Sequence, residues 1–186
     1  MHVIVLSASP NVDGLTAACA RAAADGVQEA GGTVEEVRLN DLDIGLCQAC
    51  GNGWGTCRDQ HECQTLDDFQ MVHHKVREAD AVILVSPVYW GEMSEVAKAF
   101  TDRLRRCEAS RREESALAGK PIIAVAAAGG SGGGMISCLA SMERWIQHLR
   151  ARTFDLIPVN RWSREYKLAA IRAAARTMVE ETTTLA

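Results

Sequence analysis

Short apolar runs alternate with amphipathic stretches along the whole chain. "HVIVLS" (2–7), "AVILVS" (81–86) and "PIIAVAA" (121–127) are nearly continuous apolar segments, the pattern of strands covered on both faces of a parallel sheet. "TVEEVRL" (33–39) is more amphipathic and reads as a strand nearer an edge, and "TFDLIPV" (153–159) completes the series. Between the strands, apolar positions recur at helical spacing over 15–30, 67–79, 94–107, 135–151 and about 165–181. Gly31 and Gly32 end the first helix, and Asp67 and Asp68 occupy the first turn of the second, where the helix dipole favours acids. Five strands alternating with helices predict a doubly wound α/β sheet with right-handed crossovers, in one domain over 1–186.

In such sheets ligands bind outside the carboxyl ends of the strands. Three loops there carry unusual chemistry. "SASPNVDGLT" (7–16) offers Ser7, Ser9, Asn11, Gly14 and Thr16 at the start of a helix, with no Lys or Arg before Arg21. It lacks the glycine pattern of a dinucleotide fingerprint and the lysine of a nucleotide P-loop. Hydroxyls, backbone N–H groups and a helix N-terminus would hold a phosphate there. That suits flavin mononucleotide better than a triphosphate with magnesium. "SPVYWGEMS" (86–94) sets Tyr89 and Trp90 at a strand's carboxyl end as an apolar wall for a planar ring, with Pro87 ending the ladder and Gly91 bending the chain. "AAAGGSGGG" (126–134) includes Gly129, Gly130, Ser131 and Gly132, where missing side chains let backbone approach a ligand. An N-capped turn, a turn with two half-buried rings and a mobile loop are the plain alternatives for each taken singly.

A fourth loop, "CQACGNGWGTCRDQHEC" (47–63), gathers Cys47, Cys50, Cys57 and Cys63. Its C-x-x-C start is compatible with a metal site, a redox dithiol or an iron–sulfur cradle. Cys19, Cys107 and Cys138 are isolated on helices and read as packed thiols. His73, His74 and His148 read as helix surface, and Met142 and Trp145 as core.

The net charge of −4 argues against nucleic-acid binding, and no apolar run is long enough to span a membrane. "VIVL" is too short for a signal-peptide core, which points to the cytoplasm, where cysteines stay reduced.

These loops resemble the flavodoxin-fold NADPH-dependent FMN reductases. The first loop of that family commonly reads G-S-P-R-x-x-G-N-T/S, and here Ala8-Ser9-Pro10-Asn11-Val12-Asp13-Gly14-Leu15-Thr16 stands in its place. Asn11 replaces the common Arg and Leu15 the common Asn. The S-P-x-Y-x-G motif matches Ser86-Pro87-Val88-Tyr89-Trp90-Gly91, and K-A-F-x-D-R matches Lys98-Ala99-Phe100-Thr101-Asp102-Arg103. The iron–sulfur flavoprotein branch places C-x2-C-x2-C-x4–7-C before paired acids. Cys47, Cys50 and Cys63 match that run, whereas Gly53 takes the third position and Cys57 follows four residues later.

The resemblance implies a flavodoxin-like five-stranded sheet in the order 2-1-3-4-5. It implies FMN with its phosphate on Ser7, Ser9, Asn11, Gly14, Leu15 and Thr16. The ring would lie between Pro87, Val88, Tyr89, Trp90, Gly91 and Gly129, Gly130, Ser131, Gly132. It further implies NAD(P)H as co-substrate, a quinone, flavin or protein acceptor, and a homodimer or homotetramer. The cofactor carries the chemistry, so no catalytic acid, base or nucleophile is assigned. Reduced thiols shaping the substrate mouth are the preferred reading of the cysteine loop, with a [4Fe–4S] cluster or zinc as alternatives. An electron-carrying iron–sulfur flavoprotein and a non-enzymatic redox or metal sensor are the competing functions.

Overall fold

The computed structural model describes residues 1–184. Its core strands are β1 (His2–Ser7), β2 (Thr33–Arg38), β3 (Ala81–Tyr89), β5 (Pro121–Ala128) and β6 (Arg152–Asn160), all parallel in the order β2-β1-β3-β5-β6. A two-residue strand, β4 (Glu92–Met93), folds back antiparallel on β3. Leaving that hairpin aside, the order is the expected 2-1-3-4-5 of a flavodoxin-like sheet. It reverses between β1 and β3, and there a crevice opens at the carboxyl ends of the strands.

The apolar runs are buried as their pattern requires. Side chains of Val3, Val5, Ile83, Val85, Ile123 and Val125 face α1 (Leu15–Glu29) and α7 (Arg164–Thr184). Their alternates, Ile4, Leu6, Val82, Leu84, Ile122 and Ala124, face α4 (Phe69–Glu78), α5 (Glu95–Glu108) and α6 (Met135–His148). Met142 and Trp145 belong to this second core, as the helical spacing indicated.

Two details depart from the sequence expectation. Pro87 does not end β3, because it pairs with Ala127 of β5. The carbonyl of Val85 accepts from the N–H of Ala8 on the β1 side, so two residues on Pro87 turns its missing N–H toward the same side. The β1 ladder has already stopped at Ser7, so no partner is lost there.

His73, expected at the surface, is 1% exposed and lies 2.6 Å from Glu108 across α4 and α5. Helical spacing puts it on the same inward face as Phe69, Val72 and Val76. Its partner lies 35 residues away, beyond the reach of local pattern. Burial opposes ionisation of Glu108, but hydrogen bonds from His73 and Ser115 outweigh it and hold the carboxyl below its ordinary value.

Candidate cofactor cradle and cysteine pocket

The loops after β1, β3 and β5 meet in one cradle lined by Ser9, Pro10, Asn11, Gly14, Leu15, Thr16, Pro87, Val88, Tyr89, Ala127, Gly129 and Gly130. The first turn of α1 opens onto it with Gly14 at the N-cap and no side chain capping the helix. Its first N–H groups therefore lack an intrahelical partner and remain available to an anion. Ser9 is 2% exposed, and its hydroxyl donates to the Asn11 carbonyl at 2.7 Å, which fixes the curve of the loop. A Cβ added at Gly129 or Gly130 would meet nothing within 4 Å, so protein packing does not demand glycine at either position. The open space in front of them is free for a ligand.

Some sequence-named residues lie beside the cradle. Ser7 is buried at the end of β1, paired through its backbone with Arg38 and Val85. Trp90 and Gly91 form the two-residue hairpin loop between β3 and β4, both with positive φ (52° and 82°), as a tight hairpin of this twist requires. Trp90 is fully exposed there and shares a neighbouring hollow with Val88, Ser131, Gly133 and Gly134. Gly132 sits against the Trp162 ring, where an added Cβ would come within 2.4 Å.

The cysteine loop folds against α5. It includes the short turns α2 (Cys50–Gly53) and α3 (Thr56–Asp59). Cys47, Cys50, Cys57 and Cys63 line one small pocket, with Thr56, Gln64, Arg103, Arg106 and Cys107 among its other walls. It shares no lining residue with the cradle.

Arg103, 1% exposed, is the anchor of the loop. It donates to Asp67 from both terminal nitrogens (2.5 and 2.9 Å), to the carbonyls of Gly45 (3.0 Å) and Thr65 (3.2 Å), and to the Cys63 sulfur (3.3 Å). Its guanidinium also lies 4.3 Å from the centre of the Phe69 ring. Burial alone would raise the Asp67 carboxyl. Hydrogen bonds from Arg103 and from the Gly45 and Phe69 N–H groups hold it below its ordinary value. Arg106 donates to the Gly53 carbonyl and stacks 4.1 Å from the Trp54 ring centre.

A family model described as NADPH-dependent FMN reductase matches residues 1–159. The chain belongs to that family. The iron–sulfur flavoprotein of Methanosarcina thermophila is 30% identical over 146 residues, covering 78% of this chain and 73% of that one. Iron–sulfur flavoprotein MJ1083 of Methanocaldococcus jannaschii is 35% identical over 105 residues, which is 56% of this chain and only 52% of the relative. Among solved structures, an NAD(P)H:quinone oxidoreductase from Methanothermobacter marburgensis superposes with a TM-score of 0.71 at 21% identity, covering 96% of each chain. A flavodoxin from the domain Archaea superposes at 0.67 and 15% identity, over 98% of this chain and 99% of that one. At such identities the likeness concerns the fold.

Within this family's fold the residues present fit two groups. The cradle suits FMN through the uncapped start of α1 and the open glycine strip. The cysteine pocket suits an anionic, thiolate-bound centre, because four soft sulfur donors line it and the Nε atoms of Arg103 and Arg106 are buried with no partner. Among the described residues no three Cys, His, Asp or Glu side chains converge closely enough to bind one metal ion. The ligands of a cubane cluster sit on different irons, so they need only surround a volume.

Four residues have structural roles that the sequence reading did not assign. Arg21 donates to the Val12 carbonyl at 2.7 Å and braces the first loop from outside the cradle. Arg106 carried no motif signal. Arg103 stood only as the last position of a family motif. Cys107 is a buried thiol, as expected, pushed up to about 12 by burial first and by the nearby Cys63 and Cys57 sulfurs next, yet it forms part of the cysteine pocket. Cys19 and Cys138 are likewise buried and raised to about 12, chiefly by burial.

Proposed function

We propose that this chain binds FMN in the cradle and acts as an oxidoreductase, taking electrons from NADH or NADPH and passing them to a quinone, a flavin or another acceptor. The observation that carries the reading is the uncapped N-terminus of α1 opening onto the same cradle as Tyr89, Gly129 and Gly130. When bound, FMN supplies the two-electron chemistry. The chain supplies position and polarity. The α1 amides and the Thr16 hydroxyl hold the phosphate, Ser9 and Arg21 fix the loop that presents them, and Tyr89 walls the ring. Tyr89 is the one ionisable side chain among the cradle residues, so backbone groups set the polarity around the ring. A homodimer or homotetramer is the assembly this reading carries.

Two measurements test it. Purified protein should show a flavin absorbance spectrum or bind added FMN stoichiometrically. It should then oxidise NADPH or NADH steadily when a quinone or free flavin is supplied. Protein that neither retains nor binds FMN sinks the proposal.

The cysteine pocket favours a second reading, in which the same chain is an iron–sulfur flavoprotein. Cys47, Cys50, Cys57 and Cys63 would hold a [4Fe–4S] cluster, which would supply one-electron storage. The supporting observation is that all four thiols line one pocket together with two guanidinium groups, that of Arg103 buried and that of Arg106 partly so. Iron and sulfide analysis after anaerobic reconstitution tests it. Absence of both returns the loop to reduced thiols.

A further inference from the structure

The cysteine pocket is walled by two cations, Arg103 and Arg106. Arg103 comes from α5 with its charge met by Asp67, and one of its terminal nitrogens donates to the Cys63 sulfur at 3.3 Å. Arg106 follows one turn later on the same helix, and among the described residues no carboxylate comes within ion-pair distance of it. Both keep a buried Nε without a partner. Arg103 is already paired with Asp67, so Arg106, half-buried and with no carboxylate partner among the described residues, is the charge left facing the four thiols. A cation so placed is stabilised by an anion beside it, so Arg106 favours negative charge inside the pocket.

We propose that Arg103 and Arg106 are positioning residues that set the charge of the cysteine centre, balancing its thiolates and raising its reduction potential. The inference rests on the second reading above, that the pocket holds an iron–sulfur cluster. Reduction adds one negative charge to a centre whose thiolate ligands already make it anionic. A nearby cation and a hydrogen bond to a ligand sulfur both favour that reduced, more negative form. Arg103 acts through its contact to the Cys63 sulfur, and Arg106 acts as a fixed charge held in place by Gly53 and Trp54.

The test uses the full chain loaded with FMN and reconstituted anaerobically with iron and sulfide. Iron and sulfide contents are measured first, and then the cluster's midpoint potential is measured by a dye-mediated titration followed by electron paramagnetic resonance. Arg106→Gln should keep the iron and sulfide content and lower the potential of the cluster while leaving that of FMN unchanged. Arg103→Lys, which keeps the charge and loses the sulfur contact, should lower it less. A merely structural role would alter content or melting behaviour without moving the cluster potential alone. Wild-type potentials in both variants, with clusters present, overturn this inference and spare the cluster reading. No iron or sulfide in the wild type overturns both. Arg106→Gln, which removes contacts only to Gly53 and Trp54, decides the matter should Arg103→Lys fail to fold.

Discussion

Arg103 and Asp67, 36 residues apart in the chain, form a doubly hydrogen-bonded ion pair at the root of the cysteine loop. Both side chains are almost wholly buried, at 1% and 7% exposure. The pair joins α5 to the segment entering α4, and Asp67 also accepts from the Gly45 N–H at 3.0 Å. The fourteen-residue helix α5 thereby fixes the exit of a loop that has little regular structure of its own.

Asp67→Asn should therefore destabilise the fold by about 3–5 kcal/mol at neutral pH, because it leaves the Arg103 charge buried without its partner. The Asp67 carboxyl is held below its unfolded value, so its contribution is fully present above that unfolded value, near 4. It fades as pH falls through the lower, folded value. Urea denaturation at neutral and acid pH checks this, and the gap between wild type and variant should narrow in acid.

Lys120 predicts a rise of stability with pH in the alkaline range as well. Burial lowers its ammonium from 10.5 to about 8, and its Nζ donates only to the Val76 and Arg77 carbonyls, at 2.8 and 3.0 Å. Between those two values the unfolded chain holds a proton that the folded chain has lost, so stability rises with pH. The gain from pH 8 to 10 should be on the order of 1–3 kcal/mol for this group. Lys120→Met should lack that rise in parallel denaturation curves, once both are normalised at neutral pH.

Gly26 lies where α1 crosses α7. A Cβ there would stand 2.2 Å from the Arg172 carbonyl oxygen, a backbone atom that cannot swing aside. Gly26→Ala should cost about 1–3 kcal/mol through forced separation of the two helices. FMN affinity should change little, because the crossing is remote from the cradle lining. Thermal melts paired with flavin titration separate the two effects.

Ser9→Ala and Thr16→Ala should each weaken FMN binding by roughly 1–2 kcal/mol, the first by releasing the Asn11 carbonyl that Ser9 holds, the second by removing a hydroxyl at the helix start. Flavin fluorescence titration measures both. Unchanged affinity in the double variant would move the phosphate elsewhere.

Trp90 holds a left-handed backbone with its ring wholly in solvent. Trp90→Gly should therefore leave stability equal or higher, by up to about 1 kcal/mol, since glycine adopts that conformation without strain. If the exposed ring serves the cofactor or acceptor, the same variant slows turnover without lowering the denaturation midpoint.

The sequence by itself determined the sheet and the cradle. Apolar runs such as 81–86 and 121–127 admit one placement, between two helix layers, because burying both faces of a strand is the dominant gain available to them. Strand order then brought the loops after β1, β3 and β5 together, and most of the residues named from those loops line one cradle. The tertiary structure decided what depends on partners far apart in the chain. Nothing local pairs His73 with Glu108, or gives Arg103 and Arg106 to the cysteine loop until α5 packs beneath it. Hydrophobic periodicity is written in neighbouring residues and can be read there. Charge pairing and the walls of a pocket arise only when helices are laid side by side, and only the packed chain specifies which cation faces which sulfur.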